Sequence, residues 1–251
     1  DVNKDGSYTA ATWNTTTQKW EGDIPGYPGS DQTVWTVAND LPDEFAGGST
    51  VSVSEGGWGS PPIGFEIQIT LWGYDAPQSS PLANVMFKEA KMIYVGLPGG
   101  PDNAKLDGLY FTQWADPDLG TYQDDYVGSD KELSLGFVYN GNRFDDQFKD
   151  GFNSAVPAAG HDFLEGPKVD LNGDGKLDTL GMTSFSYFAS SGSVSDPSSG
   201  TYVGTLQWYN LMEGYLPRPE YPTQQPFIDP ITGLAEKIVL SGDPIHGSGW
   251  G

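Results

Sequence analysis

The chain has 251 residues, and 34 acidic against 12 basic side chains give a formal net charge of −22. Such a surface repels phosphate backbones and anionic lipid, whose capture needs Lys and Arg, so nucleic-acid binding and adhesion to anionic membranes are disfavoured from the start. Cysteine is absent, which removes disulfides and thiolate metal sites and leaves carboxylate-held Ca²⁺ as the cross-link open to an acidic secreted protein.

The 34 Gly and 19 Pro stop short of a low-complexity composition, and with 8 Trp, 13 Tyr and 12 Phe the chain can bury a large core. Most of the charge is Asp, which favours turns over helices. No apolar run approaches eighteen residues, so no membrane insertion is expected, and no signal peptide is seen. The chain opens on Asp1 inside a motif and ends on the Gly-rich HGSGWG, as a processed product or a piece of a longer protein would.

In chain order, the first element is a loop motif, DVNKDGSY. Asp1, Asn3 and Asp5 are side-chain oxygen donors at alternate places and Ser7 a carbonyl donor, as in a calcium loop. Its ninth and twelfth places are Thr9 and Thr12, so further ligands would come from elsewhere, such as Glu21 or Asp23, and a chain terminus frays. Strands are predicted at residues 33–38, 50–54, 64–72, 86–95, 109–115, 133–139, 183–189, 205–209 and 237–241. The clearest is 64–72, where Phe65, Ile67, Ile69 and Leu71 alternate with Glu66, Gln68, Thr70 and Trp72. A helix over 82–94 ranks second to a strand there. Turn clusters such as GGWGSPP, GLPGGPDN and LPRPEYPTQQP separate the strands.

This spacing predicts an all-β fold with little helix: an antiparallel β-sandwich, jelly-roll or immunoglobulin-like, with long Gly/Pro/Asp-rich loops. The length suits one large domain or two small ones, and 1–251 is read as a single β-rich domain. Residues 212–251, above all the Pro-rich 216–230, are expected to wrap the surface or connect, and 190–200 to form a mobile surface loop.

The strongest chemical signal is DLNGDGKLD. Asp170, Asn172 and Asp174 offer side-chain oxygens, Lys176 its carbonyl and Asp178 a further carboxylate, while Gly175 permits the tight turn that aims them at one hard cation. An EF-hand needs a bidentate Glu at the twelfth place, which is Gly181 here, so the loop is EF-like outside an EF-hand fold. A metal-free Asn/Asp/Gly turn has the same composition. The third cluster, WADPDLGTYQDDYVGSD, puts Asp116, Asp118, Asp124, Asp125 and Asp130 within fifteen residues. With Pro117, Gly120 and Gly128 as turn residues, a cation could gather them; otherwise they fan into solvent.

Catalytic signals are weak. His161 and His246 lie outside metalloprotease spacing, and there is no GxSxG elbow, P-loop or dinucleotide fingerprint. A glycosidase needs two carboxylates, and nothing singles out a pair. Trp13, Trp20, Trp35, Trp58, Trp72, Trp114, Trp208 and Trp250 are read first as packing, then as a sugar-stacking platform.

The succession DVNKDGSY, GSDQTVWTVAND, PPIGFEIQITLWGY, LANVMFKEAKMIY, WADPDLG…DDYVGSD, LGFVYNGN, PAAGHDFLEGP, DLNGDGKLDTLGMTSFSYF, FIDPITG and LSGDPIHGSGW resembles a group of large secreted proteins of the Bacteroidetes and relatives, which commonly carry a C-terminal type IX secretion signal. The resemblance spans nearly the whole chain, with the WADPDLG…DDYVGSD block as its most specific part. It implies an exported, β-rich cell-surface protein and brings no enzymatic activity with it. Ser129 stands where those proteins carry Cys, and their sorting module is absent from these residues. The expected function is therefore an extracellular, calcium-stabilised structural or adhesive protein, with self-association into a surface array or filament. The alternatives are a carbohydrate-binding module, with glycans as partners, and a glycan-active hydrolase.

Overall fold

The computed structural model describes Thr9 and residues 12–22, 26–40, 61–101, 103–189 and 194–249. The fold is all-β: every ladder between strands among the described residues is antiparallel, and parallel pairing is confined to isolated bridges. The chain divides into two compact units, Asp1–Ser52 with Pro61–Lys105 and Val53–Ser60 with Leu106–Gly251. The strand expected at 50–54 lies outside the described residues.

In the first unit, β1 (Thr12–Asn14) and β2 (Lys19–Glu21) form a hairpin, its turn held by the N–H groups of Thr16 and Thr17 on Asn14 Oδ1. Next, β3 (Gln32–Asn39), β4 (Phe65–Gly73) and β5 (Met86–Tyr94) make a three-stranded sheet in that order. The strand reading of 64–72 holds, although both faces of β4 are evenly half-buried, and the strand reading of 86–94 prevails over the helical one. The register puts Val34 with Leu71, and Thr36, Ile69 and Ala90 in a row, on one face. Trp35, Thr70 and Glu89 share the other. Asp40 ties the start of β4 to the end of β3 by accepting from the N–H groups of Ile63 (2.6 Å) and Phe65 (2.8 Å). Gly64 is required there: its φ is +84°, and a Cβ would lie 2.5 Å from the Gly96 carbonyl carbon.

In the second unit, β6 (Asp125–Asp130), β7 (Leu135–Asn140) and β8 (Ala159–Asp162) form the larger sheet. A short helix α1 (Asp146–Phe152) lies between β7 and β8. Hairpins β9 (Lys168–Val169) with β10 (Asp178–Thr179), and β11 (Phe227–Ile228) with β12 (Ala235–Glu236), flank a second helix, α2 (Tyr202–Met212). The core gathers Val194, Leu211, Phe227 and Val239, with Phe185, Tyr187 and Trp208 packed against it.

Four expectations are corrected. Residues 205–209 belong to α2, whose N-cap Thr201 accepts from the Gly204 N–H; burial of Gln207, Asn210 and Leu211 favours the helix over the β propensity of Thr205, Trp208 and Tyr209. Residues 109–115 form no strand: Tyr110, Phe111 and Trp114 dock singly on Tyr209, Phe163 and Phe188. Residues 183–189 and 237–241 make isolated bridges rather than ladders, Phe185 to Ile238 among them. The stretches read as a mobile loop and a surface wrap reach the interior through Val194, Pro217 and Phe227, and Asn210, fully buried, holds the wrap by donating to the carbonyls of Pro219 and Thr223. The buried hydrophobic set is mainly aliphatic, and Trp13, Trp35 and Trp114 are each about half exposed.

Candidate metal centre

The loop from Asp170 to Lys176 joins β9 to β10, so a two-rung hairpin fixes its ends. The chain curls around one carboxylate. Asp170 Oδ1 accepts from the N–H groups of Gly173 (2.6 Å) and Asp174 (3.1 Å), and Oδ2 from Gly175 (2.9 Å). Gly173 and Gly175 have φ of +75° and +80° with open space around them, so glycine is needed for backbone angle and not for room. The Gly175 N–H above all, with those of Gly173 and Asp174, outweighs burial and holds the Asp170 carboxyl below the usual range. Asn172 Oδ1 accepts from the Asp174 N–H, Asp174 Oδ1 from Lys176 (2.8 Å), and Asp178 Oδ2 at longer range from Leu171 (3.4 Å). Asp170 is half-buried while Asn172, Asp174, Lys176 and Asp178 are exposed. The donor set is all hard oxygen, which fits Ca²⁺ and not a soft metal.

The third cluster is divided. Asp116 and Asp118 are exposed. Gly128 is no turn residue but sits inside β6, buried, where a Cβ would lie 2.5 Å from the Phe137 ring. Because β6 is extended, Asp130 stands about 17 Å from Asp125, at the far end of the strand. There it turns the chain into β7, accepting from the N–H groups of Glu132 and Leu133. The five carboxylates therefore form no single site.

Asp124 and Asp125 remain together, at the start of β6. Asp125 Oδ2 accepts from the Leu119 N–H (2.8 Å) and Asp124 Oδ2 from the Asn142 side-chain amide (2.6 Å). Their other oxygens, Asp124 Oδ1 and Asp125 Oδ1, are buried without a hydrogen-bond partner, as is Nδ2 of Asn140, which pairs with Asp125 across the ladder. Another acid, Asp145, which the sequence reading did not single out, ties into the same loop before β6 through the Thr121 N–H. It is 2 % exposed and accepts from the N–H groups of Thr121 (2.8 Å), Gln147 (2.9 Å) and Phe148 (3.1 Å), capping α1 and pinning the loop before β6. Burial pushes its carboxyl up, but the N–H groups of Thr121, Phe148 and Gln147 together outweigh that and hold it below the usual range. Gly120 (φ +85°) makes the approach feasible, since a Cβ there would collide with the Asp145 carboxylate. The available signal was an Asp at the head of a short helix, an N-cap signature.

Asp1, Asn3, Asp5 and Ser7, with Asp23, lie outside the described residues. Glu21 is engaged in its own hairpin, accepting from the side chains of Asn14 (2.7 Å) and Thr17 (3.2 Å). Among the described residues no three or more His, Cys, Asp or Glu side chains form a group able to hold a metal ion as they stand. Ser129 is fully buried and donates to the Val239 carbonyl (2.8 Å). No helix among the described residues is long and apolar enough to cross a membrane. No protein-family model matches the chain, and no curated protein or solved structure matches it.

Proposed function

We propose that the chain is an extracellular, calcium-stabilised structural or adhesive protein of a cell surface, its loops locked by Ca²⁺ against their own charge. The observation that carries this reading is the Asp170–Asp178 loop: alternate hard-oxygen donors on a turn already wound around Asp170. In the proposed bound state Asp174 and Asp178 swing inward from their exposed positions to join Asp170, Asn172 and the Lys176 carbonyl. Asp124 and Asp125, with their unpartnered buried oxygens, are the second candidate.

Calcium that binds only the folded chain stabilises it by RT ln(1 + [L]/Kd), about 2.7 kcal/mol at a hundredfold Kd. Isothermal titration of chelator-treated protein with CaCl₂ tests the reading: saturable heat that Asp170→Ala abolishes supports it, and the absence of heat refutes it. Copies at −22 repel one another, so assembly into an array or filament requires divalent cations or high salt. Light scattering should show association in millimolar Ca²⁺ and none in chelator at low salt.

A further inference from the structure

The first unit carries a feature that the acidic loops do not explain. On one face of its sheet the row Thr33, Trp72, Phe87 is followed by Trp35, Thr70, Glu89 and then by Val37, Gln68, Lys91. Tyr27 lies flat on Trp72, with centroids 4.0 Å apart and planes 5° from parallel, and Phe87 extends the stack at 5.5 Å. These three rings form a fixed wall. Trp35, in the adjacent row, is 57 % exposed, and its indole has no ring contact or hydrogen bond among the described residues. Together with Tyr27, Pro28, Thr70 and Glu89 it lines an open depression of about 270 Å³. The Thr70 hydroxyl and the Glu89 carboxylate likewise have no protein partner there.

An exposed indole plane beside unspent hydrogen-bonding groups matches a ligand with one apolar face and a polar edge. A wholly apolar ligand would bury the Glu89 carboxylate unpaired, at a cost that its own burial would not offset. An anionic ligand meets the field of an acidic chain and the Glu89 carboxylate, so the ligand has an apolar face, a polar edge and no negative charge. A neutral sugar ring satisfies all three conditions, its C–H face on the aromatic plane and its hydroxyls outward. We propose that this depression binds neutral saccharide, one pyranose stacking on Trp35 while Thr70 and Glu89 bond its hydroxyls. Glu89 is the only carboxylate among the described lining residues, whereas glycoside hydrolysis generally takes two, so the site captures and does not cleave.

Calorimetric titration of the full chain with cellohexaose, xylohexaose, mannohexaose and laminarihexaose tests this, with a heparin hexasaccharide as the anionic comparison. At least one neutral hexasaccharide should bind at micromolar to millimolar affinity in Ca²⁺ and in EDTA alike, and the heparin fragment should not. Trp35→Ala should weaken that binding at least tenfold without moving the melting temperature, because the indole packs on little; Thr70→Ala with Glu89→Gln, which keeps the aromatic plane, should weaken it severalfold. Failure of all four neutral sugars, or binding that survives both variants, overturns the proposal. Either result leaves the calcium reading standing, since the Asp170 loop belongs to the other unit.

Discussion

The Asp170–Asp178 loop and the knot of segments tied by Asp124, Asp125 and Asp145 are both held by carboxylates that accept from N–H groups, yet they do so in opposite ways. In the loop the carboxylates face their own backbone: each hydrogen bond spans seven residues or fewer, and all but Asp170 stand exposed. In the knot Asp145 reaches 24 residues back to the Thr121 N–H, and two carboxylate oxygens lie buried with nothing to accept from. Local carboxylates shape a turn, whereas distant ones hold separate segments together. On the calcium reading proposed above, the loop is where a ligand would add stability, whereas at Asp145 the fold already depends on its acid.

The sharpest way to break this distinction is Asp145→Ala. It leaves the N–H groups of Thr121, Gln147 and Phe148 without their acceptor and removes the cap of α1, so chemical denaturation should show the largest loss of any acid-to-Ala change, equal with and without Ca²⁺. Asp145→Asn, which keeps one acceptor oxygen, should recover part of it. An Asp145→Ala protein as stable as the parent would show that the knot holds nothing. Gly120→Ala strikes the same contact from the other side, and the strained φ with the collision should cost about 1–3 kcal/mol in urea denaturation.

A comparable effect is expected away from both regions. Ser129→Ala strands the buried Val239 carbonyl, at about 1–3 kcal/mol by the same measurement. Ser129→Cys should cost less because a thiol still donates weakly.

The two regions also set the acid limit. Asp145 and Asp170 are held below the ordinary Asp value, so their contribution is complete above about pH 4 and is lost as pH falls through their lower folded values. Thermal melts from pH 6 downward should lose stability there, and Asp145→Ala and Asp170→Ala should each flatten that limb. The smallest effect belongs to His246, which Asp243 raises above its usual value through a direct hydrogen bond. That contribution is full below about pH 6.5 and is lost as pH rises through the raised value. In this exposed pair it should shift the melt little, and NMR titration of the imidazole is the better readout.

What the sequence made legible follows the same division between local and distant. The central sheet could be read because Phe65 to Trp72 alternates at period two, and the Asp170 loop because its donors and glycines lie within nine residues. Helix α2 could not, because Thr205, Trp208 and Tyr209 favour strands and burial against Val194 and Phe227 decides their state. Strand β6 was hidden for a related reason: Asp, Gly and Ser read as a turn until Phe137 fills the space above Gly128 and Val239 receives the Ser129 hydroxyl. Asp145 drew no notice in the sequence because its tie to Thr121 is not local.

The most direct test of calcium stabilisation is a thermal melt of the parent chain and of Asp170→Ala, each in millimolar CaCl₂ and in excess EDTA. The parent should melt several degrees higher in calcium, while the two Asp170→Ala curves should lie much closer together. Coincident parent curves in calcium and EDTA would contradict the account.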